Sequence, residues 1–218
     1  MPGFIFDMDG TLMDSIGIWH EAEQKILDDS DVVLTKTERD ELNALTLEEA
    51  GDFFHDRFGV LESGRAVVDA IIDYMLAFYG TRAEANPGVA DFVSAVHDSG
   101  APLCVLSSSP QSFLQAGLGK SGLKRFFADD LIISVEDLST TKRDAETYRH
   151  VCALLCVEPG DAWFFDDSWY ALATARGVGL RNVGVFSSDN CGTHEELARY
   201  AEQVVDDFTE LDLKSFLA

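Results

Sequence analysis

The sequence predicts an α/β protein: a Rossmann-like, three-layer parallel-sheet core with an α-helical segment inserted after its first strand. Three observations carry this reading. Short apolar runs of β type alternate with helix-length stretches from about residue 88 onward. The first apolar run, Phe4-Ile5-Phe6, stops at Asp7 and is followed by Gly10. Between Asp14 and about Glu84 the pattern is helical, with no convincing strand.

Taken in order, residues 4–6 form a short buried strand, and Asp7 and Asp9 fall at its end. Ser15 to Leu27, Thr37 to Leu45, Thr46 to Phe58 and Ser63 to Tyr79 read as helices. Asn86-Pro87-Gly88 then punctuates the chain. Beyond it come helix 88–98, strand 102–107, helix 110–117, strand 131–134 and helix 144–156. Strand 162–166, helix 168–176, strand 182–186, helix 193–201, a short strand near Val204-Val205 and a final helix complete the alternation. Such alternation implies a parallel sheet covered on both faces. The expected domains are a core of residues 1–14 and 85–218 and a helical domain of residues 15–84. Ligands of open α/β sheets bind at the carboxyl ends of the strands, which would gather Asp7, Ser107 and Asp166.

The 218 residues suffice for one ordinary domain plus an insert. The hydrophobic share of 46% and charged share of 25% exclude disordered, collagen-like and coiled-coil chains. A net charge of −23, shared by insert and remainder alike, argues against nucleic acid and anionic membrane surfaces as partners. The start, Met1-Pro2-Gly3, lacks a secretory pattern and no run approaches a membrane span, so a cytoplasmic protein is expected. The four cysteines, Cys104, Cys152, Cys156 and Cys191, then read as reduced thiols. Cys152 and Cys156, four apart in the expected helix 144–156, read as core packing rather than a metal pair.

Phe6-Asp7-Met8-Asp9-Gly10-Thr11-Leu12 is the most informative segment. Two carboxylates after a buried strand are costly unless a cation or substrate compensates them. Gly10 permits the tight turn that presents them. Leu103-Cys104-Val105-Leu106-Ser107 is an apolar strand ending in a hydroxyl, and Phe164-Phe165-Asp166-Asp167-Ser168 places an acidic pair after another such strand. Lys142 lies before a helix whose Asp144 and Glu146 suit its first turn.

These four stations, in this order, resemble the motifs of the haloacid dehalogenase superfamily, closest to its β-phosphoglucomutase and phosphoglycolate phosphatase branch. The resemblance spans nearly the whole chain, with residues 15–84 where that branch carries its helical cap. One departure stands out. The motif lysine of the branch is typically followed by Pro-x-Pro-Asp, whereas Lys142 is followed by Arg143-Asp144-Ala145-Glu146-Thr147-Tyr148, with Tyr148 at the expected aromatic place. Lys120 and Lys124 fit the motif less well, since they precede the 131–134 strand.

The resemblance implies a phosphohydrolase for a small phosphorylated metabolite. Asp7 would be the nucleophile, forming an aspartyl phosphate, and Asp9 the acid for the leaving alkoxide and then the base for water. Mg²⁺ would be held by Asp7, the Asp9 main-chain carbonyl, Asp166 and Asp167. Ser107, Ser108, Thr11 and Lys142 would hold the phosphoryl group, and Trp19 and Thr46 of the cap would meet the rest of the substrate. His55, His97, His150 and His194 sit on expected helices without a paired nucleophile and receive no role; His20, beside Trp19, is a further pocket candidate.

Other readings stay open at this level. A phosphomutase of the same branch would return its phosphoryl group to a sugar, and a catalytically degenerate member would only bind phosphate. A dehalogenase has no use for the second aspartate, and phosphonate cleavage would need an imine-forming lysine, for which only Lys25 and Lys36 are at hand. A phospho-receiver domain gathers similar residues but is shorter and uncapped. The sequence assigns no substrate and no oligomeric state; a monomer is compatible with it.

Overall fold

The computed structural model describes residues 1–28, 32–42, 45–187 and 193–217. These divide into two compact units, Met1–Ser15 with Ala83–Ala218, and Ile16–Arg82.

The first unit is built on six strands: β1 (Gly3–Phe6), β2 (Leu103–Ser107), β3 (Ile132–Ser134), β4 (Ala162–Asp166), β5 (Arg181–Val185) and β6 (Gln203–Val205). They form one parallel sheet in the order β3-β2-β1-β4-β5-β6. Strands β1, β2 and β4 are buried along their whole length, which is why they read as unbroken apolar runs rather than alternating ones. The order reverses direction at β1, so the carboxyl ends of β1, β2 and β4 share one crevice.

Side-chain alternation sorts the core into two layers. Ile5, Cys104, Leu106, Ile133 and Phe164 pack with Tyr148, Val151 and Cys152 of α7 (Ala145–Leu154) and with Ala171, Leu172 and Ala175 of α8 (Trp169–Val178). Phe4, Phe6 and Phe165 face the other way, onto Phe92 of α5 (Val89–Asp98), Phe208 and Phe216. The Phe6 and Phe165 rings stack at 4.8 Å. Helices α6 (Gln111–Lys120) and α9 (His194–Ala198) complete this unit.

The expected final helix is absent among the described residues. Two short 3-10 turns, Phe208–Glu210 and Leu213–Ser215, stand there instead. Asp207 and Asp212 each accept from the backbone two residues on, closing tight turns that compete with a helix. The turns seat Phe208 and Phe216 under the sheet. Gly88 makes that possible: its φ is 78°, and a Cβ there would lie 2.4 Å from the Thr209 nitrogen.

Among its described residues the second unit has the helices α1 (Ile16–Leu27), α2 (Lys36–Leu42), α3 (Leu47–Phe58) and α4 (Gly64–Thr81). Ser63 caps α4 through a bond from the Ala66 N–H, and the buried face of α4 carries Val67, Val68, Ile71, Met75 and Phe78. The segments that lead out of the first unit and back into it pair there: Met13 bridges Ala85, and the Asp14 N–H donates to the Glu84 carbonyl.

Helix α7 ends at Leu154, earlier than expected. Cys156 therefore lies outside it, exposed and at φ 56°, while Cys104 and Cys152 are buried free thiols. Cys191 lies outside the described residues. Among those described, no helix is long and apolar enough to cross a membrane.

Candidate active site

Asp7 follows β1 directly, and its N–H donates to the Phe165 carbonyl at 2.9 Å, carrying the β1–β4 ladder one step further. The chain then turns. Gly10, at φ 75°, donates to the Met13 carbonyl, and the Met13 N–H returns to that of Met8. This turn displays Asp7 and Asp9 at the crevice.

Asp166 closes β4 and Asp167 follows it. The Ser168 N–H donates to Asp166 Oδ1 at 2.7 Å, and its hydroxyl donates to Asp167 Oδ1 at 3.1 Å. Carboxylate oxygens of Asp7, Asp166 and Asp167, all buried, lie within 4.8 Å of one another. Among the described residues this is the one acidic or thiol and imidazole cluster tight enough to hold a metal ion. Its hard oxygen donors suit Mg²⁺.

Lys142, only 4% exposed, reaches into the cluster, where Nζ donates to Asp7 Oδ1 and, at 2.8 Å, to Asp166 Oδ2. No proline braces the loop that carries it. Instead Thr147 Oγ1 donates to the Thr141 carbonyl at 2.9 Å and meets the Thr140 hydroxyl at 2.8 Å. The Arg143 N–H donates to Thr141 Oγ1, and Asp144 caps α7 through the Glu146 N–H. The buried Tyr148 hydroxyl donates to the Lys142 carbonyl at 2.9 Å and lies 3.2 Å from the Ala171 carbonyl, tying the loop to α8. The Arg143 guanidinium rests on the Tyr170 ring at 4.3 Å.

The electrostatics follow from burial. Desolvation raises the Asp7 carboxyl well above the usual carboxylate range; Lys142 opposes this, while Asp166, Asp167 and Asp9 add to it. Burial pulls the Lys142 ammonium down, but Asp166 and Asp7 outweigh it and hold its pKa well above the ordinary lysine value. Burial also pushes the Tyr170 phenol up to about 12. Three buried carboxylates against one ammonium leave the cluster negative, so a divalent cation would compensate it.

The remaining expected site residues are placed as follows. Ser107 closes β2 and is buried; its Oγ accepts the Ser109 N–H at 3.1 Å. Ser108 is exposed. Thr11 is fully buried, its carbonyl accepting from Asn86, and its hydroxyl has no partner among the described residues. The Asp9 carboxylate stands outside the metal-type cluster and accepts from Ser15 and Ser109 instead. Lys120 is exposed at the end of α6, and Lys124 pairs with Asp129. Trp19 lies half-buried on α1.

Thr46 has a structural task within its own unit. It is the N-cap of α3, accepting from the Glu49 N–H while Glu49 Oε2 takes the Thr46 N–H and hydroxyl. The Thr-x-x-Glu spacing is the sequence signature of this box. Thr46→Ala is therefore expected to destabilise the protein by about 1 kcal/mol, read as a lower urea midpoint. An unchanged midpoint would remove the cap as its role. Ser15 and Ser109, which grip Asp9, escape sequence reasoning, since neither stands in a spacing that signals a partner.

The model of the haloacid dehalogenase-like hydrolase family matches residues 1–179. The chain is 24% identical over 193 residues to a phosphorylated carbohydrates phosphatase of Thermotoga maritima, covering 88% of each. It is 26% identical over 183 residues to hexitol phosphatase B of Escherichia coli K12, covering 83% of this chain and 82% of that one. The crystal structure of CbbY from Rhodobacter sphaeroides in complex with phosphate superposes with a TM-score of 0.81 at 23% identity, over 97% and 96% of the two chains. With a matched family model running from the Asp7 turn through Lys142 to the Asp166-Asp167 pair, this chain belongs to the haloacid dehalogenase-like hydrolase family.

Proposed function

We propose that the protein is a Mg²⁺-dependent phosphatase that hydrolyses a small phosphorylated metabolite through an aspartyl phosphate on Asp7. The observation that carries this reading is the buried Asp7, Asp166 and Asp167 cluster with the Lys142 ammonium inside it. The naming of two relatives as a phosphorylated carbohydrates phosphatase and a hexitol phosphatase supports the substrate class.

In the first step an Asp7 oxygen bonds to phosphorus, the bond from phosphorus to the substrate oxygen breaks, and Asp9 gives that oxygen its proton. In the second, water attacks phosphorus, its proton passes to Asp9, and the Asp7 carboxylate leaves. Lys142 and Ser107 hold the phosphoryl oxygens. The Ser107 oxygen accepts the Ser109 N–H, so its own proton is left to donate outward. Asp7, Asp166 and Asp167, with the Asp9 carbonyl, would hold Mg²⁺. The ion would neutralise charge on the transferring oxygens. The helical unit Ile16–Arg82, and Trp19 within it, is assigned to the leaving group, and the setting to the cytoplasm.

A panel of phosphorylated sugars, polyols and small acids, assayed for inorganic phosphate with Mg²⁺, tests this. Release is expected from part of the panel, falling to background in excess chelator and returning with Mg²⁺. Calcium should restore it poorly, because it tolerates looser coordination than in-line transfer needs. Full activity in chelator would overturn the metal assignment, and isomerisation of a sugar phosphate only with a bisphosphate present would replace phosphatase by mutase.

A further inference from the structure

Asp9 is gripped at both carboxylate oxygens. Ser15 Oγ donates to Oδ1 and Ser109 Oγ donates to Oδ2, each at 2.6 Å. The two donors differ in what holds them. Ser15 is the last residue before α1. Ser109 is fastened to the sheet at both backbone poles: its N–H donates to Ser107 Oγ at the end of β2, and its carbonyl accepts from Ser134 Oγ at the end of β3, at 2.8 Å. Three serines thus link the ends of two strands to one carboxylate. Ser109 is only 7% exposed, and Pro110 follows it.

The hydroxyl's choice of partner is informative. A serine just ahead of a helix commonly caps its N-terminus. Helix α6 starts two residues after Ser109, yet it has no side-chain cap. The Ser109 hydroxyl reaches across 100 positions of sequence to Asp9 instead.

We propose that Ser109 is a positioning residue for proton transfer: it fixes the orientation of the Asp9 carboxyl group relative to Asp7. The proposal rests on the reading of Asp9 as the proton-transfer group. An aspartate has two rotatable side-chain bonds, and a single hydrogen bond leaves the carboxylate free to swing about it. Bonds to both oxygens remove that freedom, and a general acid must stand within about 2.6–3.2 Å of the atom it protonates. The step concerned is the first one above, in which the proton on Asp9 moves to the leaving oxygen as the P–O bond breaks.

Leaving-group dependence separates positioning from general damage. Catalytic efficiency, kcat/KM, reads only events up to departure of the leaving group. An alkoxide needs the proton; p-nitrophenolate leaves without one. Ser109→Ala is expected to lower kcat/KM for an alkyl phosphate taken from the panel by about tenfold, a fraction of the 10² to 10⁴ that a general acid supplies. For p-nitrophenyl phosphate the loss should stay below about twofold. In an Asp9→Asn background, Ser109→Ala should add no further loss on the alkyl phosphate. Equal losses on both substrates, no loss on either, or an undiminished further loss in the Asp9→Asn background would each overturn the proposal. An Asp9→Asn enzyme with wild-type rates would overturn the reading of Asp9 on which the proposal rests, and a wild-type protein that releases phosphate from no member of the panel would overturn the phosphatase reading as well. An inactive Asp9→Asn beside an unaltered Ser109→Ala overturns the Ser109 assignment alone.

Discussion

Asp7→Asn is expected to abolish turnover, by a factor on the order of 10⁴ or more, while leaving the metal-free protein at least as stable as before. The two halves have one cause. Asn keeps the shape of the side chain but offers no anionic oxygen, so no aspartyl phosphate forms. In the metal-free fold, Asp7 is a buried carboxylate crowded by Asp166, Asp167 and Asp9, and its pKa stands well above the usual range. An acid whose pKa rises on folding is favoured in its protonated form. Its ionisation therefore subtracts stability as pH climbs from the ordinary carboxylate value through the raised one. Removing the charge removes that loss. Lys142 keeps a partner in Asp166, at 2.8 Å, so the substitution does not strand the ammonium. Melting temperatures of chelated protein across pH should therefore fall less steeply with rising pH in Asp7→Asn than in the wild type. Retained phosphate release would overturn the nucleophile assignment. A lower melting temperature at neutral pH would mean that the Lys142 pairing outweighs the crowding.

How much of this was legible in the sequence depends on how local the cause was. Asp7, Ser107 and Asp166 each end an apolar run, and a parallel sheet aligns run ends, so their meeting needed only the strand pattern. Lys142 could be placed by the helix start after it, although its loop is held by Thr140, Thr141 and Thr147 rather than by proline. The serine grip on Asp9 was not legible. In Ser107-Ser108-Ser109 the three hydroxyls look equivalent, and only the turn after β2 decides that Ser108 faces solvent while Ser109 turns to Asp9. The C-terminal segment failed for a different reason. Phe208 and Phe216 carry an apolar signal that suits a helix, but Asp207 and Asp212 bond to their own backbone and break it into turns. The capping box of Thr46 was readable from the Thr-x-x-Glu spacing alone, because both of its hydrogen-bonding partners lie within one helical turn.

Lys142→Ala is expected to act on stability as well as on rate. Activity should fall by about 10² to 10³, as for loss of one preorganised donor to a developing anion. Lys120→Ala and Lys124→Ala should retain it, because Lys120 is exposed and Lys124 is engaged with Asp129. The structural arm comes from charge. Lys142 bonds both Asp7 and Asp166, and breaking a buried pair by removing one partner typically costs about 3–5 kcal/mol. The metal-free variant should therefore melt well below the wild type. Added Mg²⁺ would meet three carboxylates no longer neutralised by an ammonium, so the rise in melting temperature with Mg²⁺ should be larger in Lys142→Ala than in the wild type. Assaying at saturating Mg²⁺ then separates the two effects: a folded, metal-loaded variant that is still slow has lost a phosphoryl donor and not its fold. Full activity under those conditions would move the phosphoryl-holding cation elsewhere, and an Mg²⁺ response equal to that of the wild type would show that Lys142 does not compensate the metal-type cluster.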